Sequence, residues 1–180
     1  MYSDLLLFLK VQNLYFTTTI GNLYHTCCDE ITIEVVDFNK TKTEFYTIAH
    51  RNQPKTVNAL LFSKIQELFF VQSQEFYVLD VPVELINKAL TDGDIQQKIY
   101  GTVSTFTDIM SYFGYCSDFE TFFRKSKREK VRTLILMELT NQDYLKLRLS
   151  HFDKLNIVAN DPVLGETILI NCEEFVERFN

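Results

Sequence analysis

Proline and glycine are scarce, with 3 Pro and 5 Gly in 180 residues. That argues against a barrel or sandwich built from many tight turns and points to helices with a modest sheet. No stretch reaches the roughly 20 consecutive apolar residues that a membrane span needs. The longest apolar run, Leu5 to Leu9, is stopped by Lys10. A secretory pattern is missing as well, since Asp4 stands where basic residues belong and no small-residue cleavage site follows. The cytosol is therefore the expected location. Of the four cysteines, Cys27, Cys28, Cys116 and Cys172, two are adjacent and the chain is long enough to fold without staples, so four thiols are expected.

The strings that mark common chemistries are also absent. No Gly-x-Gly-x-x-Gly, Walker A, Gly-x-Ser-x-Gly or His-Glu-x-x-His occurs, which removes frequent nucleotide-binding, hydrolase and metalloprotease signatures. His25, Cys27 and Cys28 form a compact metal-capable set. Adjacent cysteines chelate poorly, however, and the Cys-x-x-Cys spacing of structural zinc is missing. Asp92-Gly93-Asp94 is followed by Ile95, Gln96 and Gln97 rather than by further calcium ligands, which leaves a turn with a helix cap. Neither metal nor cofactor is expected. His25, His50 and His151 lie in three different segments, so an acid, a base or a partner for Cys116 or Cys172 would have to be assembled by the fold.

What is present is a large apolar inventory: 46% hydrophobic residues, including 16 Phe and 9 Tyr. At this length such an inventory suits one globular domain spanning residues 1–180. The net charge of −6 is unevenly spread. Arg124, Lys125, Lys127, Arg128, Lys130 and Arg132 against Glu129 give a local +5, so the other 171 residues carry −11. The basic run is a candidate contact for phosphate or an acidic partner, weighed against a solvated helix end stabilised by the macrodipole. The acidic remainder disfavours nucleic acid, whose binders rely on basic side chains.

Along the chain, Ser3 to about Leu14 reads as a helix. Alternating Ile31, Ile33 and Val35, the turn Asn39 to Lys42, and the β-branched and aromatic run Thr43 to His50 read as a hairpin. Val57, Leu60, Leu61, Ile65, Leu68 and Phe69 recur at helical spacing through about Val71. Phe76 to Val81 has strand length, Val83 to Leu90 has helical composition, and Ile95 to Phe113 defines a helix ended by Gly114. A short helix follows, with Ser117 as its N-cap and Glu120 three residues on. Val131–Leu139 and Tyr144–Phe152 read as a second hairpin, Asn156–Ala159 and Thr167–Ile170 as strand segments, and Glu173–Phe179 as a terminal helix. The fold class expected is α+β: an antiparallel sheet from N- and C-terminal hairpins, with central helices packed on it. A doubly wound parallel sheet is the second choice.

Aromatic residues at Phe69-Phe70, Phe76-Tyr77, Tyr112-Phe113, Tyr115, Phe119 and Phe122-Phe123 exceed what one face of each helix can bury. Core packing accounts for most of them, and those reaching the surface make anchors for a protein partner. Size, acidity and missing motifs together lead to a non-enzymatic acidic protein-binding module. An inhibitor or immunity-type protein that neutralises one specific, basic, nuclease-like toxin fits this profile. A secretion-type chaperone or adaptor is one alternative, and an enzyme with a site assembled from dispersed residues is another. A protein partner is expected, membrane is not, and a homodimer through exposed aromatics stays open.

Overall fold

The structure is a computed structural model that describes residues 2–23, 30–63, 67–74, 94–116, 118–119, 121–122, 131–137 and 164–180. Its elements, in chain order, are α1 (Tyr2–Val11), β1 (Thr17–Thr19), α2 (Ile20–Leu23), β2 (Glu34–Asp37), α3 (Phe38–Ala49), β3 (Ala59–Phe62), β4 (Leu68–Gln74), α4 (Asp94–Tyr112), β5 (Val131–Met137), β6 (Leu164–Asn171) and α5 (Cys172–Phe179). The six strands form one sheet in the order β1-β2-β3-β4-β5-β6. The first four are mutually antiparallel, whereas β5 runs parallel to β4 and β6 parallel to β5. Helix and strand are thus combined as expected, but the sheet is mixed rather than antiparallel. The crossover that contains α4 returns the chain to the same end of the sheet, which a hairpin cannot do.

Residues 38–49 form a helix, not the second strand of a hairpin. Asp37 caps it by accepting from Lys40 N (3.0 Å). The β-branched residues that suggested a strand are accommodated by back-bonding: the hydroxyls of Thr41, Thr43 and Thr47 donate to the carbonyls of Asp37, Asn39 and Thr43. Phe38, Thr41 and Phe45 are buried at helical spacing. The helix stops at His50, which takes the left-handed conformation (φ 51°).

Residues 57–71 likewise depart from the helix their spacing suggested. They supply β3 and β4, a hairpin closed by Ser63, whose amide donates to Glu67 O (3.0 Å) and whose hydroxyl accepts from Glu67 N (3.0 Å). Both faces of these strands are covered, so the apolar run is continuous and lacks the alternation of a half-wet strand. Leu60, Leu68 and Phe70 enter one apolar cluster, while Ala59, Leu61, Phe69 and Val71 enter another.

Those two clusters lie on opposite faces of the sheet. The first takes α1, α3 and α4 and contains a stack in which Phe106 lies 4.9 Å from both Phe38 and Phe119 and 6.3 Å from Phe70. The second takes Ile20 of α2 and Phe175 of α5. Helix α4 matches its expected span, and Gly114 ends it in the left-handed region (φ 65°). After α4, the side chain of Asp118 accepts from Thr121 N (2.6 Å); the expected cap Ser117 lies outside the described residues, as do the elements expected at 76–90, 144–152 and 156–159.

The segment 51–57 is fastened along α4. Val57 N donates to Thr102 Oγ1 (3.0 Å), and a Cβ added to Gly101 would stand 1.9 Å from the carbonyl oxygen of Lys55. Only glycine permits that approach. Cys172, expected as a thiol, is instead disulfide-bonded, while Cys116 is free.

Candidate partner-binding surface

Each of the eight lysines and arginines among the described residues is engaged by the chain itself. Asp94 receives both Lys55 (2.8 Å) and Lys98 (2.9 Å), and these hydrogen bonds hold its carboxyl below the usual carboxylate range. Arg51 stands 3.6 Å from Asp108. Lys42 donates to Pro54 O (3.4 Å). Lys10 and Lys40 lie over the rings of Tyr15 (4.6 Å) and Phe16 (4.7 Å), and Arg178 lies over Phe69 (6.0 Å) and Phe179 (5.6 Å). Arg132 reaches Glu67 and Glu166, each at 3.4 Å, and so ties the residue that precedes β4 to β5 and β6.

That last arrangement places one member of the predicted basic run. Arg132 sits on β5, partly exposed, between the carboxylates of Glu67 and Glu166. Arg124, Lys125, Lys127, Arg128 and Lys130 lie outside the described residues. By contrast, Glu30, Glu34, Glu44 and Glu177 are exposed and form no ion pair with a described residue. Among the described residues, each cation has a partner within the chain whereas these four carboxylates face solvent without an ion pair, which leaves their negative charge locally unbalanced.

Only some of the residues considered for chemistry are described. His50 is exposed at the end of α3, and His25, Cys27, Cys28 and His151 lie outside the described residues. Tyr46 donates to Asp108 Oδ2 (2.7 Å), and its phenol is pushed up to about 12, first by burial and then by that hydrogen bond. With Arg51 on the other carboxylate oxygen, the trio clamps α3 and the following segment to α4. Among the described residues, no three His, Cys, Asp or Glu side chains cluster as a metal site, and no helix is long and apolar enough to cross a membrane. The hydroxyl oxygens of Thr56 and Thr167 are buried without a hydrogen-bond partner among the described residues. They belong to the segment before β3 and to β6, three strands apart in the sheet, and so form no common site.

Aromatic residues sort sharply. Phe69, Phe70, Phe119 and Phe122 are buried, whereas Tyr112 and Tyr115 are exposed. Tyr115 stacks on Phe8 of α1 (4.4 Å), and Tyr112 meets Phe45 of α3 edge-on (5.7 Å). Phe113 bridges them, 6.3 Å from Phe8 and 6.4 Å from Phe45. Leu7 and Val11, one turn apart beside Phe8 on α1, are exposed, as is Ile48, three residues beyond Phe45. Burial, and after it the Asp4 carboxylate, push the Tyr115 phenol upward. This corner was only partly visible in the sequence: the aromatic surplus pointed to surface tyrosines, but Leu7 and Val11 look like core in a dense apolar run.

No family model, curated protein or solved structure matches the chain.

Proposed function

We propose that this chain is a non-enzymatic acidic protein-binding module that neutralises one basic protein, as an inhibitor or immunity-type protein does against a nuclease-like toxin. The observation that carries this reading is the asymmetry of charge use. The described lysines and arginines are engaged by the chain's own carboxylates, carbonyls and rings, while Glu30, Glu34, Glu44 and Glu177 face solvent. A surface of that kind attracts a cationic partner over several ångströms and accelerates its arrival. It also opposes self-association, because two copies would bring like charges together.

The test is the association rate with the basic protein recovered on the tagged full-length chain, measured across a salt series. The rate is expected to fall steeply with ionic strength. Combined reversal of Glu34, Glu44 and Glu177 to lysine is expected to lower it about tenfold or more, with little change in melting temperature. Recovery of no basic protein, or a rate indifferent to salt and to charge reversal, overturns the reading.

A further inference from the structure

We infer that the corner formed by α1 and the C-terminal end of α4 is the contact face for that basic partner, with Tyr112 and Tyr115 as its anchors. This inference rests on the reading above and adds the place and chemistry of contact. Leu7 and Val11 are 61% and 66% exposed, and Tyr112 and Tyr115 are 50% and 43% exposed. Isolated apolar side chains at a surface need no explanation. The two tyrosines are joined through Phe8, Phe45 and Phe113, whose rings make a continuous chain of contacts between them, and Leu7 and Val11 flank Phe8 on α1. Rings already held by stacking lose little freedom on binding, the property that makes tyrosine an effective anchor.

Among the described residues the rim carries more acid than base: Asp4, whose carboxylate acts on the Tyr115 phenol, exposed Glu44 before Phe45, and the Arg51–Asp108 pair one turn before Tyr112. The nearest cation on α1, Lys10, lies over the Tyr15 ring. An apolar centre with a negative rim fits a protein surface that presents aliphatic side chains flanked by lysine or arginine, whose cations can also stack on the tyrosine faces. Tyr100 gives an internal control. It lies on the same helix and is 42% exposed, but it is three turns from Tyr112 and makes no contact with these rings among the described residues.

The experiment places a benzophenone photocrosslinking side chain at Tyr112, Tyr115 or Tyr100 of the full chain in its own cells. It then compares binding of Tyr112→Ala, Tyr115→Ala, Leu7→Glu and Tyr100→Ala to the purified basic protein. Adducts with a basic protein at 112 and 115 but not at 100 are expected. Affinity should fall about tenfold to a hundredfold in the two tyrosine variants and in Leu7→Glu, and change less than about twofold in Tyr100→Ala. Leu7→Glu guards against misfolding as an explanation, because its side chain already lies in water. If the basic protein is bound equally by all four variants, the contact face is wrong while the charge reading stands. Adducts only with a second copy of the chain overturn the basic occupant, and no basic protein in any arm overturns both.

Discussion

One face of the sheet is covered by α1, α3 and α4, of 10, 12 and 19 residues, and the other, among the described residues, by α2 and α5, of 4 and 8. The long helices carry internal hydrogen-bond ladders, cross-links such as Tyr46–Asp108, and Phe38 and Phe106, which stack with Phe70 of β4 and Phe119. Only α4 exceeds the roughly 12 to 15 residues at which an isolated helix begins to hold itself in water, and α2 and α5 fall furthest below it. Helix α5 therefore depends on tertiary devices: Phe175 in the core, Asn171 accepting from Glu174 N (2.9 Å), Phe179 against Phe69 (5.2 Å), and the Cys172 disulfide. Among the described residues, one face is covered mainly by long helices, the other by two short helices held by these contacts. The exposed apolar corner stands on the face with the long helices, where the side chains of the proposed contact can be held rigidly.

Truncation should show the difference most strongly. Phe106→Ala removes the centre of the aromatic stack and is expected to cost about 4 to 5 kcal/mol, whereas Phe175→Ala should cost about 3 kcal/mol because a short terminal helix can settle towards the sheet. Chemical denaturation of both variants checks this, and equal losses would break the contrast. Next in size is the disulfide. Reduction is expected to remove on the order of 3 kcal/mol and to speed hydrogen exchange in α5 more than in α4. The unreduced chain should weigh less than the reduced chain by two hydrogens per bond, and an unchanged mass would remove the fastener from the comparison.

Gly101→Ala tests how closely the segment 51–57 approaches α4. With the Lys55 carbonyl where a methyl group would sit, the segment must shift, at a cost of roughly 2 kcal/mol, read as a lowered denaturation midpoint. The smallest effect is at Tyr46. Tyr46→Phe is expected to cost about 1 kcal/mol near neutral pH through the lost hydrogen bond to Asp108. In the wild type, the folded phenol titrates at about 12 against 10.0 unfolded, so the native state holds its proton longer. That contribution is intact below pH 10 and disappears as pH rises towards 12. Stability measured across this range should fall less steeply in the variant, and identical slopes would show that another group governs the alkaline loss.

How much of this was legible from the residues differs between elements for physical reasons. Helix α4 was readable because Ile95, Ile99, Phe106, Ile109 and Met110 make one buried stripe and Gly114 supplies the left-handed stop. The two misreadings are complementary. Thr43 to His50 has strand-like composition, but its threonine hydroxyls bond back into the helix and Phe38 and Phe45 find a core on one side. Val57 to Val71 has helix-like spacing because β3 and β4 are buried on both faces, which removes the period of two. Composition also signalled an aromatic surplus, but which rings reach water depends on how α1 and α3 pack against the end of α4. The basic run was visible as charge, yet Arg132 is drawn into the sheet by Glu67 and Glu166, residues far from it in sequence.

Near-neighbour pattern determined where α1, α4 and α5 would begin and end and the acidic excess of the chain, because caps, turn residues and net charge depend on near neighbours or on none, while the persistence of the shorter helices needs the core. Tertiary structure decided the parallel pairing of β4, β5 and β6, the state of Cys172, the internal use of the described cations and the exposure of Tyr112 and Tyr115. Each of these depends on residues brought together from distant parts of the chain, and side-chain spacing along a sequence carries no record of which distant partner will arrive.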